Sequence, residues 1–300
     1  MNKRFKPIIL LAIIFTLFYA NAYSQGGKIK WKRRTAPVKP ALNLFHSPHG
    51  IDLPSATMLQ KGDWEFEISH RFVPSLGSGI EHLYGFDGPV NMRIALGWAL
   101  HNNTIMTLGR SNVNDNIDLG LKQKIYEGNL GGIPLITALR LLAAWNSSPA
   151  YFEIQDRDKK NTRNWQGVAQ FILNTRLFRK AYLGVVPSYL YNTDIRFEKK
   201  TKDTFRLGVL IQYYVSPFWS ILAEWSPYVS GYKLLVGQEE TPVSFGIELE
   251  TGGHFFKVFL TNNKFLNSSQ FLAGADIPLE RNDWRLGFGI TRVLKFSKTQ

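Results

Sequence analysis

The sequence predicts an all-β fold, a transmembrane antiparallel up-and-down β-barrel of about twelve strands. Three observations lead there. Between Trp64 and Phe296, apolar and polar residues alternate with the period of a strand in about twelve stretches. The gaps between those stretches alternate too. Pro74–Val90, Asn146–Arg163, Asn192–Lys202 and Asn263–Asn282 are long and polar, whereas His101-Asn102-Asn103, Leu177–Lys180, Ser216-Pro217 and Thr251-Gly252-Gly253 are tight. Long loops at one end and short turns at the other belong to barrels of the outer membrane. Finally, the chain opens like an export signal, and no later apolar run reaches the length of a spanning helix. A membrane-resident mature chain must therefore cross as strands.

Taken in order, Trp64, Phe66, Ile68 and Phe72 alternate with Glu65, Glu67, Ser69 and Arg71. Met92, Ile94, Leu96, Trp98 and Leu100 then oppose Asn91, Arg93, Ala95, Gly97 and Ala99. Thr104–Arg110 is a weaker third stretch. The fourth sets Ile117, Leu119, Leu121 and Ile125 against Asp118, Gly120, Lys122 and Lys124. Leu135–Trp145 is apolar on both faces apart from Thr137 and Arg140, and the sixth stretch sets Trp165, Phe171 and Leu173 against Gln166, Gln170, Asn174 and Arg176. The second half alternates more cleanly, through Leu183–Tyr191, Phe205–Val215, Trp219–Trp225, Val243–Leu249, Phe256–Leu260 and a closing strand from Trp284 to Phe296. Trp64, Trp98, Trp145, Trp165, Trp219, Trp225 and Trp284 fall near strand ends, with Tyr189, Tyr191 and Tyr213, where headgroup-level aromatic belts are expected. A soluble sandwich also alternates. Two features favour the barrel: the apolar face recurs on nearly every strand, both terminal ones included, and the opposite face carries charges that a dry core would not hold unpaired.

At the amino terminus, Lys3, Arg4 and Lys6 precede an apolar core from Ile8 to Phe18, and small residues follow. Residues 1–24 read as a signal peptide cleaved before Gln25, with a cut before Tyr23 as the alternative. The chain has no cysteine, which excludes a lipid-anchored lipoprotein, a disulfide framework and a thiolate metal site. Of the net charge of +13, the signal accounts for +3, and 25–60 carries six cations against Asp52 alone. Residues 25–60 are expected to be a solvated, basic, proline-containing periplasmic leader, with docking of Lys28–Arg34 on anionic lipid headgroups or an acidic partner as the alternative. The barrel is expected over 61–296, followed by a short tail, 297–300.

An even strand count puts both ends of the barrel on the periplasmic side, so the tight gaps become periplasmic turns, Thr251-Gly252-Gly253-His254 among them. The expected lumen-lining acids are Glu65, Glu67, Asp118, Glu224, Glu248 and Glu250. The expected lumen-lining bases are Arg71, Arg93, Lys122, Arg140, Arg176, Arg206, Lys257 and Arg285. Such mixing suggests cross-strand ion pairs over a narrow lumen, either a slender pore or a wholly packed interior. The loop Asn263–Asn282 carries Phe265, Leu266, Phe271 and Leu272 at helical spacing; it either enters the lumen as a plug or stays at the surface. No Gly-x-Ser-x-Gly elbow and no His-Glu-x-x-His pair occurs, and Ser69 and His70 point to opposite faces of one strand. No enzyme activity, cofactor or metal is expected; a lipid hydrolase is the remote alternative. The expected partners are outer-membrane lipid, the barrel-insertion machinery during assembly, and an unidentified periplasmic or extracellular partner. Nucleic acid is not expected for an exported chain.

Several segments carry a family likeness: Ile51–Thr57 leading into Lys61–Phe72, Gly85–Gly88 with Asn91–Ile94, Gly109-Arg110-Ser111, Glu248–Phe256 with Thr261-Asn262, and Arg285–Val293. In these the chain resembles an uncharacterised outer-membrane barrel family, domain-of-unknown-function family five-seven-seven-seven. The resemblance implies a barrel and supplies no activity. The leading functional expectation is a narrow channel or small-solute transport barrel with a charged lumen. The alternative is a structural or partner-binding barrel without conduction.

Overall fold

A computed structural model describes residues 42, 44–148, 157–195, 201–233, 240–281 and 283–296. The expected signal peptide, the Lys28–Arg34 cluster and the tail after Phe296 lie outside the described residues.

Twelve antiparallel strands form one closed sheet: β1 (Trp64–Phe72), β2 (Val90–His101), β3 (Thr104–Ser111), β4 (Asn116–Leu130), β5 (Ile133–Asn146), β6 (Trp165–Phe178), β7 (Ala181–Tyr191), β8 (Thr204–Tyr214), β9 (Trp219–Trp225), β10 (Val243–Thr251), β11 (His254–Thr261) and β12 (Arg285–Leu294). Each pairs with its sequence neighbour, and β1 closes on β12 in register from Trp64↔Leu294 to Arg71↔Gly287. Pro227, which has no N–H to donate, interrupts β9. The strand resumes against β8 as Tyr228–Gly231, and Leu207 N–H donates to the Pro227 carbonyl across the break.

The two-residue connections all lie at one end. Residues 102–103, 131–132, 179–180 and 252–253 are two-residue turns. Gly252 and Gly253 take φ of 58° and 99°, the left-handed pair that a tight hairpin demands, and Thr251 pairs with His254 across the turn. At the other end the connections are long except at 112–115.

Outward-facing side chains form an apolar surface: Leu108, Leu119, Ile221, Ile247 and Val258 are all exposed. Rings cap that surface at both ends. Trp64 stacks on Trp98 at 5.6 Å beside the short turns, and Trp145 stacks on Trp165 at 6.1 Å beside the long loops. Apolar sides turned to solvent with aromatic rings at both rims suit hydrocarbon between two headgroup layers.

The expectation of a solvated leader over 25–60 is corrected for its second half. Leu44, Phe45, Ile51, Leu53 and Ala56 are buried among Leu142, Val168, Ile172, Val186, Leu190, Leu210 and Leu222, the inward-facing residues of β5–β9. The segment therefore lies inside the barrel. The physical reason is that inner wall: it presents leucine, isoleucine and valine, which need an apolar partner and find it in this segment.

Candidate functional site: the lumen and its two inserts

Two segments occupy much of the lumen. The first, 44–60, cannot join the sheet, because Pro48 and Pro54 break any ladder of donors. It doubles back instead. His49 bridges Pro54, and Gly50 N–H donates to Leu53 O (2.8 Å). Ser55 N–H donates to Pro48 O (3.0 Å), and the Ser55 hydroxyl to Ser47 O (2.6 Å). The remaining backbone groups of an irregular buried segment still need partners. Wall side chains supply them. Glu224 accepts from the N–H groups of Ile51 (2.5 Å), Asp52 (2.8 Å) and Leu53 (3.1 Å). Lys122 Nζ donates to the carbonyls of Pro48 (3.1 Å), Ser55 (3.1 Å) and Thr57 (2.8 Å). Lys257 Nζ donates to His49 O (2.9 Å), Asn174 accepts from Ala56 N–H, and Tyr214 accepts from His46 N–H (3.0 Å). Side-chain pairs complete the docking: His46 with Glu250, His49 Nε2 with Glu65 (3.0 Å), and Asp52 with Arg71.

The second insert comes from the loop 262–284, which enters the lumen rather than staying at the surface. Phe265, Leu266, Phe271 and Leu272 are all buried. Ser268–Phe271 forms one turn of helix, α1, capped by Asn267, which accepts from Gln270 N–H. Arg206 holds the loop through Leu272 O (2.7 Å) and Ala273 O (3.3 Å). Arg140 Nη1 donates to Ser268 Oγ (2.7 Å), Gln166 donates to Ser269 O (3.3 Å), and Asn267 donates to Asn116. The two inserts meet at Arg71, which is fully buried. It pairs with Asp52 of the first and donates to Phe265 O (2.5 Å) and Asn263 O (3.2 Å) of the second.

Among the expected lumen-lining residues, Glu65, Glu67, Arg93, Lys122 and Arg140 surround a cavity of about 70 Å³. Ala95, Gly97 and Gly120 leave the room for it, and His49, Asp52, Leu266 and Ser268 of the inserts close it. Asp118 is buried in a two-pronged pair with Arg93 (2.8 and 3.0 Å). Glu248 and Lys257 pair at 3.4 Å, and Glu248 also accepts from Gln212 (2.8 Å). Arg285 binds Asp276 (2.9 Å) and Val73 O (2.7 Å) at the loop end. Glu250 is half-buried at the short-turn end, beside His46. Arg176 is exposed near the end of β6 and takes no part in the packed interior.

Cross-strand pairing, the expected use of these charges, accounts for Arg93–Asp118 and Glu248–Lys257. Arg71, Lys122, Arg206 and Glu224 are committed to the inserts instead. Sequence reasoning missed His46, His49, Asp52 and Asn174 as site residues. The available signal was an inner face of Val168, Ile172, Val186, Leu190, Leu210 and Leu222, too apolar for a water-filled lumen. Ser69 is buried inside, whereas the His70 ring packs on Phe288 at 4.4 Å. Among the described residues, no three His, Asp or Glu side chains are grouped to hold a metal ion.

A family model for a membrane bound beta barrel domain (DUF5777) matches residues 45–294, which includes most of the first insert. No curated protein matches the chain. Among solved structures, the COG4313 outer membrane channel from Pseudomonas putida F1 is similar at 13% identity and a TM-score of 0.52, covering 82% of this chain and 100% of that one. A NanC porin gives 7% identity and a TM-score of 0.47, covering 77% and 98%. At such identities the likeness concerns the fold.

Proposed function

The chain belongs to the membrane-bound β-barrel domain family DUF5777, and we propose that it is a narrow outer-membrane channel for small polar solutes, closed at rest by its two inserts. The observation that carries this reading is the cavity along β1–β5. There the inserts do not fill the space, and the wall is charged. The inserted segment 44–60 is bonded to β1–β4 mainly through polar groups, Lys122, Glu65 and Arg71, whose hydrogen bonds water or a polar solute can replace, with Leu59 on Ala99 and Ile105 as the apolar exception at its end. Against β5–β9 it is packed through leucines, contacts that water cannot replace. Opening would separate the segment from the first wall while it stays anchored to the second.

Conductance of the purified protein in planar bilayers tests this. Wild type should give small single-channel currents. Lys122→Ala, which frees three carbonyls of the insert, should raise the open fraction. Gly120→Phe, which places a ring in the cavity, should abolish the current. Silence from both wild type and Lys122→Ala would remove the channel and favour a partner-binding barrel. That second reading has its own observation: Ile80, Leu83, Tyr84 and Phe86 are exposed together on the β1–β2 loop. We expect outer-membrane lipid against the apolar surface, the insertion machinery during assembly, and no fatty-acid release from phospholipid vesicles.

A further inference from the structure

The charges around the cavity can be assigned one by one. Asp52 pairs with Arg71 and accepts from Ser244 Oγ (3.0 Å). Glu65 pairs with His49, Arg93 pairs with Asp118, and Lys122 is spent on three carbonyls. Two groups remain. Glu67 has no hydrogen-bond or ion-pair partner among the described residues, although it lines the cavity from β1. Arg140 lines it from β5 and makes no ion pair. Its Nη1 donates to two neutral oxygens, Gln170 Oε1 and Ser268 Oγ, both at 2.7 Å. Its Nη2 lies 3.9 Å from where a Cβ on Gly120 would sit, in the open part of the cavity. A half-buried carboxylate and a half-buried guanidinium, neither in a contact ion pair, therefore share one small space.

We propose that this cavity is a binding site for a small zwitterion of the α-amino-acid class, with its carboxylate on Arg140 and its ammonium on Glu67. The proposal rests on the channel reading for access from solution, and it names the solute. A lone anion would satisfy Arg140 and leave Glu67 facing added negative charge; a lone cation would do the reverse. A zwitterion satisfies both, gaining a charge-assisted hydrogen bond at each end that either lone ion lacks. The planar guanidinium fork suits a carboxylate in particular. Size narrows the class further. At about 70 Å³ the cavity is small, so glycine and alanine, the smallest members of the class, are the best-fitting candidates.

Equilibrium binding to the full chain in lipid nanodiscs, with radiolabelled glycine and alanine as probes, tests the site. Saturable glycine binding is expected, with acetate and methylammonium each roughly tenfold weaker or worse, because each forfeits one charged hydrogen-bonding partner. Glu67→Gln and Arg140→Met should each weaken glycine binding by roughly tenfold on the same ground. Gly120→Val should abolish binding by filling the space; its first added carbon meets nothing closer than 3.7 Å, so the fold should survive. No saturable binding, or acetate binding as tightly as glycine, overturns the proposal. So does glycine binding that persists in Gly120→Val. Ion current without glycine binding leaves the channel and removes this site; glycine binding without current keeps the site and removes the channel.

Discussion

The β1–β4 wall and the β5–β9 wall hold the same inserted segment by different chemistry. On the first, contact is made mainly by Glu65, Arg71 and Lys122, with Leu59 on Ala99 and Ile105 as the apolar exception, and small residues at Ala95, Gly97 and Gly120 leave space unfilled. On the second, Leu142, Ile172, Leu190, Leu210 and Leu222 close on Leu44, Phe45 and Leu53, with Glu224, Asn174 and Tyr214 as the polar exceptions. One barrel thus contains a mainly polar seam and a mainly apolar one. The difference teaches that a plug need not be uniformly held. An apolar anchor on one side lets the opposite side exchange hydrogen bonds without releasing the segment.

The contrast breaks most readily at the anchor. Leu53 is fully buried. Leu53→Ala should weaken docking of the segment by about 2–5 kcal/mol, the usual cost of emptying a leucine site. Protease sensitivity between residues 44 and 60 should rise sharply while the sheet stays intact. An unchanged cleavage pattern would mean that the apolar wall is not the anchor.

Next in size is the polar exception on that wall. Glu224→Ala strands the N–H groups of Ile51, Asp52 and Leu53, for a cost of about 1–3 kcal/mol. Hydrogen exchange should speed up at those three amides and not at β-ladder amides of β8. Equal acceleration in β8 would show that Glu224 supports the wall rather than the insert.

How much of this was legible in the sequence depends on the periodicity of each part. The strands, their closure and the two-glycine turn follow from alternation and turn chemistry, which are local signals. Residues 44–60 have neither period: Pro48, Gly50 and Pro54 look like linker chemistry, and only the fold shows that Glu224 and Lys122 take up the backbone groups those prolines leave unpaired. The charges were visible as an inward set, but their partners come from segments far away in the chain, as with Arg71 and Phe265. The apolar inner residues of β6–β9 were the overlooked clue, because outward-facing leucines on the same strands masked them.

The smallest effect gives the most direct comparison, since it makes one substitution on both walls. On β8 a Cβ at Gly208 would sit 2.6 Å from Leu53, so Gly208→Ala must push the anchor aside. Overpacking of that kind costs roughly 1–3 kcal/mol. On β4 a Cβ at Gly120 meets its nearest neighbour, a backbone carbonyl, at 3.7 Å, an ordinary contact. Gly120→Ala should therefore change the unfolding free energy measured in urea by no more than about 0.5 kcal/mol, and the lost chain entropy of glycine favours a small gain. The pair should also diverge in conductance: added bulk at Gly120 narrows the polar seam, whereas bulk at Gly208 loosens the anchor and widens it. Matching stability losses in the two variants would mean that the walls are equally packed, and the asymmetry on which the gating argument stands would be gone.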